Sequence, residues 1–291
     1  MTPPHHPLDE ERLRRRVTFN EVASLYDGAR PDYPEALFDD LIALSGVPAS
    51  GAVLEIGSGT GKATLPLARR GFSVLGIELG EQMAALARAK LANYPAVRIE
   101  VGAFEEWPLP DAAFDLAVSA SAWHWIDPKV GYAKVARALR PAGSLAVMWS
   151  SQGRAEALAS PGGNGNAANG TEDQYMQFTR ALQEVYRQVA PEMAAGREER
   201  RFPGAQQFVR SEALAASGFF QTPAVRNYTW ETTYDTASYL RLLDSYSTHR
   251  VLDSATHERL FAAIGELIDT RFGGTVTRRW RAELFVAQRL P

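Results

Sequence analysis

Three glycines, Gly57, Gly59 and Gly61, alternate with Ser58 and Thr60 directly after the apolar run 52–56, and two carboxylates flank them. Glu55 sits inside that run; Glu78 closes the next one, 21 residues after Gly57. Glycine admits positive φ and lets a ligand reach the backbone, and the helix that follows offers unpaired N–H groups. A polar ligand is expected at such a turn, with Glu78 able to accept from a pair of hydroxyls. A second chemically capable tract is Trp123-His124-Trp125, two indoles that can face a cation and an imidazole that titrates near neutral pH.

Spacing separates the ligands that use glycine turns. A dinucleotide fingerprint counted from Gly57 needs its third glycine where Lys62 stands. A phosphate loop ending in Gly61-Lys62 needs glycine at Ile56 and a hydroxyl at Ala63. The chain also has no Tyr-x-x-x-Lys pair, so a nicotinamide-dependent oxidoreductase is disfavoured, while a cofactor-binding protein without catalysis stays open.

The elements that must hold these residues alternate along the chain. Short apolar runs at 52–56, 72–77, 97–101, 114–119 and 144–149 predict strands, and helical periodicity marks 62–70, 81–93 and 129–139. Strands separated by helices imply parallel pairing and ligand sites beyond the strand carboxyl ends. Further helices are expected at 175–189, 205–216, 237–243 and 255–272, and strands at 225–233 and 280–288. The fold class is α/β, a doubly wound Rossmann-like sheet of seven strands with an inserted helical cap.

We expect a flexible arm over 1–18, a core over 19–150, a cap over 151–210 with a mobile Gly/Ala/Asn-rich loop at 159–170, and a C-terminal part over 211–291 that completes the sheet.

The order E-x-G-x-G-x-G, then an acidic residue ending the second strand, resembles the cofactor motif of class I S-adenosylmethionine-dependent methyltransferases. Tyr26, Arg30-Pro31-Asp32-Tyr33-Pro34 and the tract Trp123 to Pro128 are similar to segments of the small-molecule, trans-aconitate methyltransferase-like family. The resemblance implies that Gly57, Ser58, Gly59, Thr60 and Gly61 line the methionine part of S-adenosylmethionine, with Glu55 near its ammonium. It implies that Glu78 takes the ribose, that Leu79 and Met83 lie by the adenine, and that Arg30 and Tyr33 close over the cofactor. Ala103 stands where the family commonly has an Asp, leaving Phe104 and Glu105 beside the adenine. Ser119 and Ala120 would adjoin the methionine. Trp123 and Trp125 would wall the acceptor, and His124 is a candidate general base or positioning group.

Composition bounds the partners. The chain has 291 residues, a formal charge of -3 and no cysteine. That balance offers no general attraction to nucleic acid or anionic membrane, and the absence of cysteine removes disulfides and thiolate chemistry. A cytoplasmic enzyme is expected, monomeric or homodimeric, without metal, acting on a small-molecule methyl acceptor.

Overall fold

The computed structural model describes residues 23–152, 174–194 and 211–291. The expected arm at 1–18, the loop at 159–170 and the side chain of Tyr26 lie outside the described residues.

The chain enters through α1 (Ala23–Ala29) and α2 (Glu35–Ser45), separated at the Arg30–Pro34 segment, where proline disfavours helical geometry in the preceding residue. It then alternates through β1 (Ala52–Ile56), α3 (Thr64–Arg69), β2 (Ser73–Glu78), α4 (Glu81–Lys90), β3 (Val97–Val101), β4 (Phe114–Ala120), α5 (Pro128–Ala138) and β5 (Leu139–Gln152). After α6 (Gln174–Val189) and α7 (Ser211–Ala216) come β6 (Ala224–Asp235), α8 (Thr236–Asp244), α9 (Ser247–Arg250), α10 (Ser254–Arg271) and β7 (Thr275–Gln288).

Local chemistry explains the boundaries. Asp127 accepts from the Lys129 N–H at 3.0 Å with Pro128 in the first turn of α5, and Asp253 accepts from the Thr256 N–H at 2.9 Å to open α10. Gly46 ends α2 at φ 64, a left-handed turn that costs glycine least.

The seven strands form one sheet in the order β3-β2-β1-β4-β5-β7-β6. The first five pair in parallel, whereas β7 runs antiparallel between β5 and β6. The chain reverses its direction of winding between β1 and β4, and there the strand ends open a crevice. On one face, Leu37, Phe38 and Leu41 of α2 pack on Val53, Leu116 and Leu284. On the other, Tyr132 and Val135 of α5 and Leu214 of α7 pack on Leu54, Ala117 and Leu145.

Strands β6 and β7 outrun the sheet, and their far ends build a second core. Phe178 and Tyr186 of α6, Tyr239 and Leu242 of α8, and Leu260 and Ile264 of α10 converge on Tyr234, Val276 and Trp280. The helical layer above the sheet thus draws on 174–194 and on 236–271, so residues 211–291 supply some of its helices as well as the last two strands.

Candidate functional site

The glycine turn lies at the carboxyl end of β1, pinned to its neighbour by the Gly57 N–H donating to the Ile77 carbonyl at 2.8 Å. Gly57, Gly59 and Gly61 have φ of 71, 54 and 81. A Cβ on Gly57 would lie 2.4 Å from the Ala122 Cβ, whereas one on Gly59 would meet nothing within 4 Å. Gly57 therefore serves close packing against the segment after β4, and Gly59 leaves open space where a side chain would stand. Gly76 has a related use, since its missing Cβ makes room for Ser58 against β2.

Two carboxylates meet this turn. Glu78 accepts the Gly59 N–H through Oε2 and the Gly80 N–H through Oε1, both at 2.8 Å. Glu55 is fully buried; Thr64 Oγ1 donates to its Oε2 at 2.6 Å, and Oε1 has no hydrogen-bond partner. Burial pushes its pKa up to about 8, the Thr64 hydroxyl opposes that shift, and the Glu78 charge adds to it. Ser58 Oγ is likewise buried without a partner. Buried acceptors left open in this way call for a ligand that brings donors.

The segment from Asp27 to Tyr33 roofs the turn. Asp27 accepts from Thr60 Oγ1 and Lys90 Nζ, each at 2.5 Å, and Lys62 pairs with Asp32 at 2.8 Å. Burial works against the Asp27 carboxylate, but the bonds from Lys90 and Thr60 outweigh it and hold its pKa below the usual range. The Tyr33 hydroxyl meets Ser121 Oγ at 2.8 Å. Arg30 turns instead toward the helical layer: Nε donates to Ser245 Oγ at 3.0 Å, and the guanidinium stacks 3.9 Å from the Tyr246 ring.

Beyond β4, the tract 123–125 is a single 3-10 turn in which Trp123 parts from His124 and Trp125. The His124 ring lies 4.4 Å from Trp125 and 4.6 Å from Trp149. Desolvation pushes the pKa of His124 down to about 3, and its Nδ1 is buried without a partner. The imidazole is therefore neutral at physiological pH, and so weakly basic that it is a poor proton acceptor. Trp123 is a correction to the sequence-based expectation of an acceptor wall, because it is 3% exposed and packs on Tyr132 at 5.1 Å inside the core. With three residues per 3-10 turn, side chains two positions apart point about 120° from each other, so Trp123 and Trp125 face different surroundings.

Several other expected residues take structural places. The Phe104 ring is buried in the core. Ser119 is fully buried and donates to the Ile56 carbonyl at 2.9 Å, joining β4 to β1. Met83 is buried on α4, Leu79 is half-buried after β2, and Ala103 and Ala120 are half-buried at the ends of β3 and β4. Glu105 accepts the Asp127 N–H at 3.1 Å and braces the loop before α5. Sequence reading missed Asp27, Ser121 and Trp149; for Trp149 the available signal was its position at the end of an apolar run.

Among the described residues, no cluster of His, Cys, Asp or Glu has the makings of a metal site, and no helix is long and apolar enough to cross a membrane. The site is a glycine turn, two carboxylates and a neutral aromatic wall, all at the carboxyl ends of parallel strands.

That geometry agrees with sequence comparison, in which residues 54–147 match the model of a methyltransferase domain family. An uncharacterized methyltransferase of Mycobacterium tuberculosis is 36% identical over 136 residues, covering 47% of this chain and 53% of the relative. The demethylmenaquinone methyltransferase of Tropheryma whipplei is 30% identical over 141 residues, covering 45% of this chain and 57% of that one. The methyltransferase match thus spans about half the length of these curated relatives. Among solved structures, a proposed type II methyltransferase of Anaeromyxobacter dehalogenans superposes with a TM-score of 0.60 at 23% identity, covering 89% of this chain and 97% of that one. Phosphoethanolamine N-methyltransferase 2 of Haemonchus contortus, solved with S-adenosylhomocysteine, has a TM-score of 0.52 at 16% identity, covering 96% of this chain and 59% of its own. These two likenesses concern the fold, a methyltransferase-type Rossmann-like sheet.

Proposed function

We propose that this chain is an S-adenosylmethionine-dependent methyltransferase acting on a small organic acceptor. The observation that carries the reading is the open acceptor Glu55 Oε1, fully buried beside a turn with open space at the Cβ position of Gly59. An α-ammonium brings the N–H donors that Glu55 Oε1 and Ser58 Oγ lack, so the residues present fit this cofactor. Glu78, a carboxylate at the carboxyl end of β2 that already meets the turn through the Gly59 and Gly80 N–H groups, would hold the ribose hydroxyls, and Leu79 and Met83 would border the adenine. Ala103 and Phe104 would offer backbone rather than side-chain contacts.

A bound sulfonium supplies a strongly activated methyl group, so the task of the chain is to align the acceptor and exclude water. Alignment alone is worth about 7–11 kcal/mol of barrier in well-oriented reactions. Trp125 and Trp149, with the neutral ring of His124 between them, would form the acceptor-side wall. An uncharged imidazole does not repel a sulfonium, and the flanking indole faces attract it. His124 is then a positioning residue, and an acceptor that must lose a proton loses it to another group or to solvent. Tyr33 and its segment would close the site over the glycine turn.

The test is calorimetric titration with S-adenosylhomocysteine, with NAD as comparison and Glu78→Ala as control. Binding of the former alone, weakened in the variant, supports the reading; preference for NAD, or no binding of either, overturns it.

A further inference from the structure

The helical layer holds a positive charge that methyl transfer, as described above, does not use. Arg278 of β7 is only 6% exposed. Its partners are neutral: Nη1 donates to Thr179 Oγ1 at 3.3 Å, and Nη2 donates to Gln152 Oε1 at 3.1 Å. The guanidinium also lies over the rings of Tyr175, Phe178 and Tyr239 at 5.1, 5.6 and 5.9 Å. Its Nε is buried without a hydrogen-bond partner, and among the described residues no ion pair includes it. The adjacent Arg279, by contrast, reaches Glu231 at 2.8 Å.

A buried charge is expensive unless an opposite charge meets it, and aromatic faces offset only part of that cost. An arginine held in this state has the planar fork and the spare donor that a carboxylate or phosphate fills. Its location decides which anion. Gln152 is the last residue of β5, at the carboxyl end of the parallel strands, and its Nε2 donates to the Tyr246 hydroxyl at 3.1 Å. Tyr246 stacks under Arg30, and the same short segment carries Tyr33 to Ser121 at the end of β4. Arg278 therefore belongs to the end of the sheet that carries the glycine turn, on the side of the helical layer.

We propose that Arg278 receives the anionic group of the methyl acceptor, a carboxylate or a phosphate. The inference rests on reading the glycine turn as the methyl-donor site. Gln152 and Thr179 orient the guanidinium, and the three rings keep water from it. The acceptor is accordingly an organic acid or a phosphorylated small molecule rather than a neutral one.

The experiment follows the Arg278 Nε–H resonance of the full-length protein by NMR, assigned by its loss in Arg278→Lys. Acetate, inorganic phosphate and, as neutral control, acetamide are titrated at constant ionic strength, and S-adenosylhomocysteine is added separately while the Gly59 amide is followed. A saturable shift with acetate points to a carboxylate acceptor, one with phosphate to a phosphorylated acceptor, and acetamide should shift nothing. In Arg278→Lys, protection against thermal unfolding by the effective anion should need at least about tenfold more anion, since lysine lacks the fork. No saturable shift with either anion, or an equal shift with acetamide, overturns the proposal. A Gly59 response to S-adenosylhomocysteine without an anion response sinks this inference alone, and the reverse pattern sinks the methyl-donor reading while Arg278 remains an anion site.

Discussion

Gly59 donates its backbone N–H to Glu78 Oε2 across 2.8 Å, which ties the middle of the glycine turn to the end of β2. The second oxygen of the same carboxylate takes the Gly80 N–H at 2.8 Å. One side chain thus shapes the turn before any ligand arrives. Glu78→Ala should weaken S-adenosylhomocysteine at least tenfold by calorimetry and lower stability by about 2 kcal/mol, after discounting two charge-assisted bonds for partial exposure. Glu78→Gln, which keeps one acceptor oxygen, should fall between. Unchanged affinity in both would remove Glu78 from the site.

The two glycines of the turn should behave differently. Gly57→Ala places a Cβ 2.4 Å from the Ala122 Cβ at φ 71, so left-handed strain and overlap together should cost about 2–4 kcal/mol in urea unfolding. Gly59→Ala meets open space and should cost only the conformational strain, about 1–2 kcal/mol. Yet Gly59→Ala should still lose cofactor affinity, because its methyl group projects where a ligand approaches. A Gly59→Ala protein that binds S-adenosylhomocysteine as wild type would contradict the assignment.

Glu55 should make stability fall as pH rises. Its folded pKa is raised to about 8 from 4.5, so between those values the folded state binds more protons than the unfolded state, and the slope of unfolding free energy against pH is negative. The contribution is complete below 4.5 and gone above about 8. Glu55→Gln, which mimics the neutral acid, should flatten this part of the curve measured by denaturant unfolding across pH 5–9. Cofactor binding at pH 7 should release a proton from Glu55, visible as a buffer-dependent calorimetric enthalpy. An enthalpy independent of buffer ionisation would place the ammonium elsewhere.

His124 and its two neighbours separate by readout. With a pKa near 3, His124 should give no limb to the pH–rate profile near its ordinary value, and its ring resonances should not titrate between pH 5 and 8. Its depressed pKa makes stability rise with pH from about 3 to 6.5, opposite in sign to Glu55, so the single variants are needed to resolve either. Trp125→Ala should lower kcat/KM with little change in stability. Trp123→Ala should destabilise by about 3–5 kcal/mol, as a core tryptophan does. Equal stability losses in the two would mean that both indoles are core.

Much of the fold was legible in the sequence, since strand and helix periods are local properties of the chain. The runs 52–56 and 97–101 became strands with those bounds, and the late alternation at 225–233 became β6. Boundaries moved where tertiary pairing extended an element: β5 runs to Gln152 and β7 starts at Thr275 because each has a partner strand there.

The site divided along the same line. Glycine spacing and a carboxylate at each strand end marked Gly57–Gly61, Glu55 and Glu78, because backbone conformation and strand ends are encoded within a few residues. Burial and orientation are not. Trp123 and Trp125 read alike in the sequence, yet one lies in the core and the other beside His124, since a 3-10 turn parts their side chains. Arg30 reads as a cofactor arginine, but Ser245 and Tyr246, 215 residues or more away, draw it into the helical layer. Arg278 carries no sequence signal at all: only the convergence of β5, α6, α8 and β7 leaves its charge buried among neutral partners. Local pattern determined the elements and the turn, and long-range packing decided which side chains face the crevice, because desolvation is a property of everything that closes around a group.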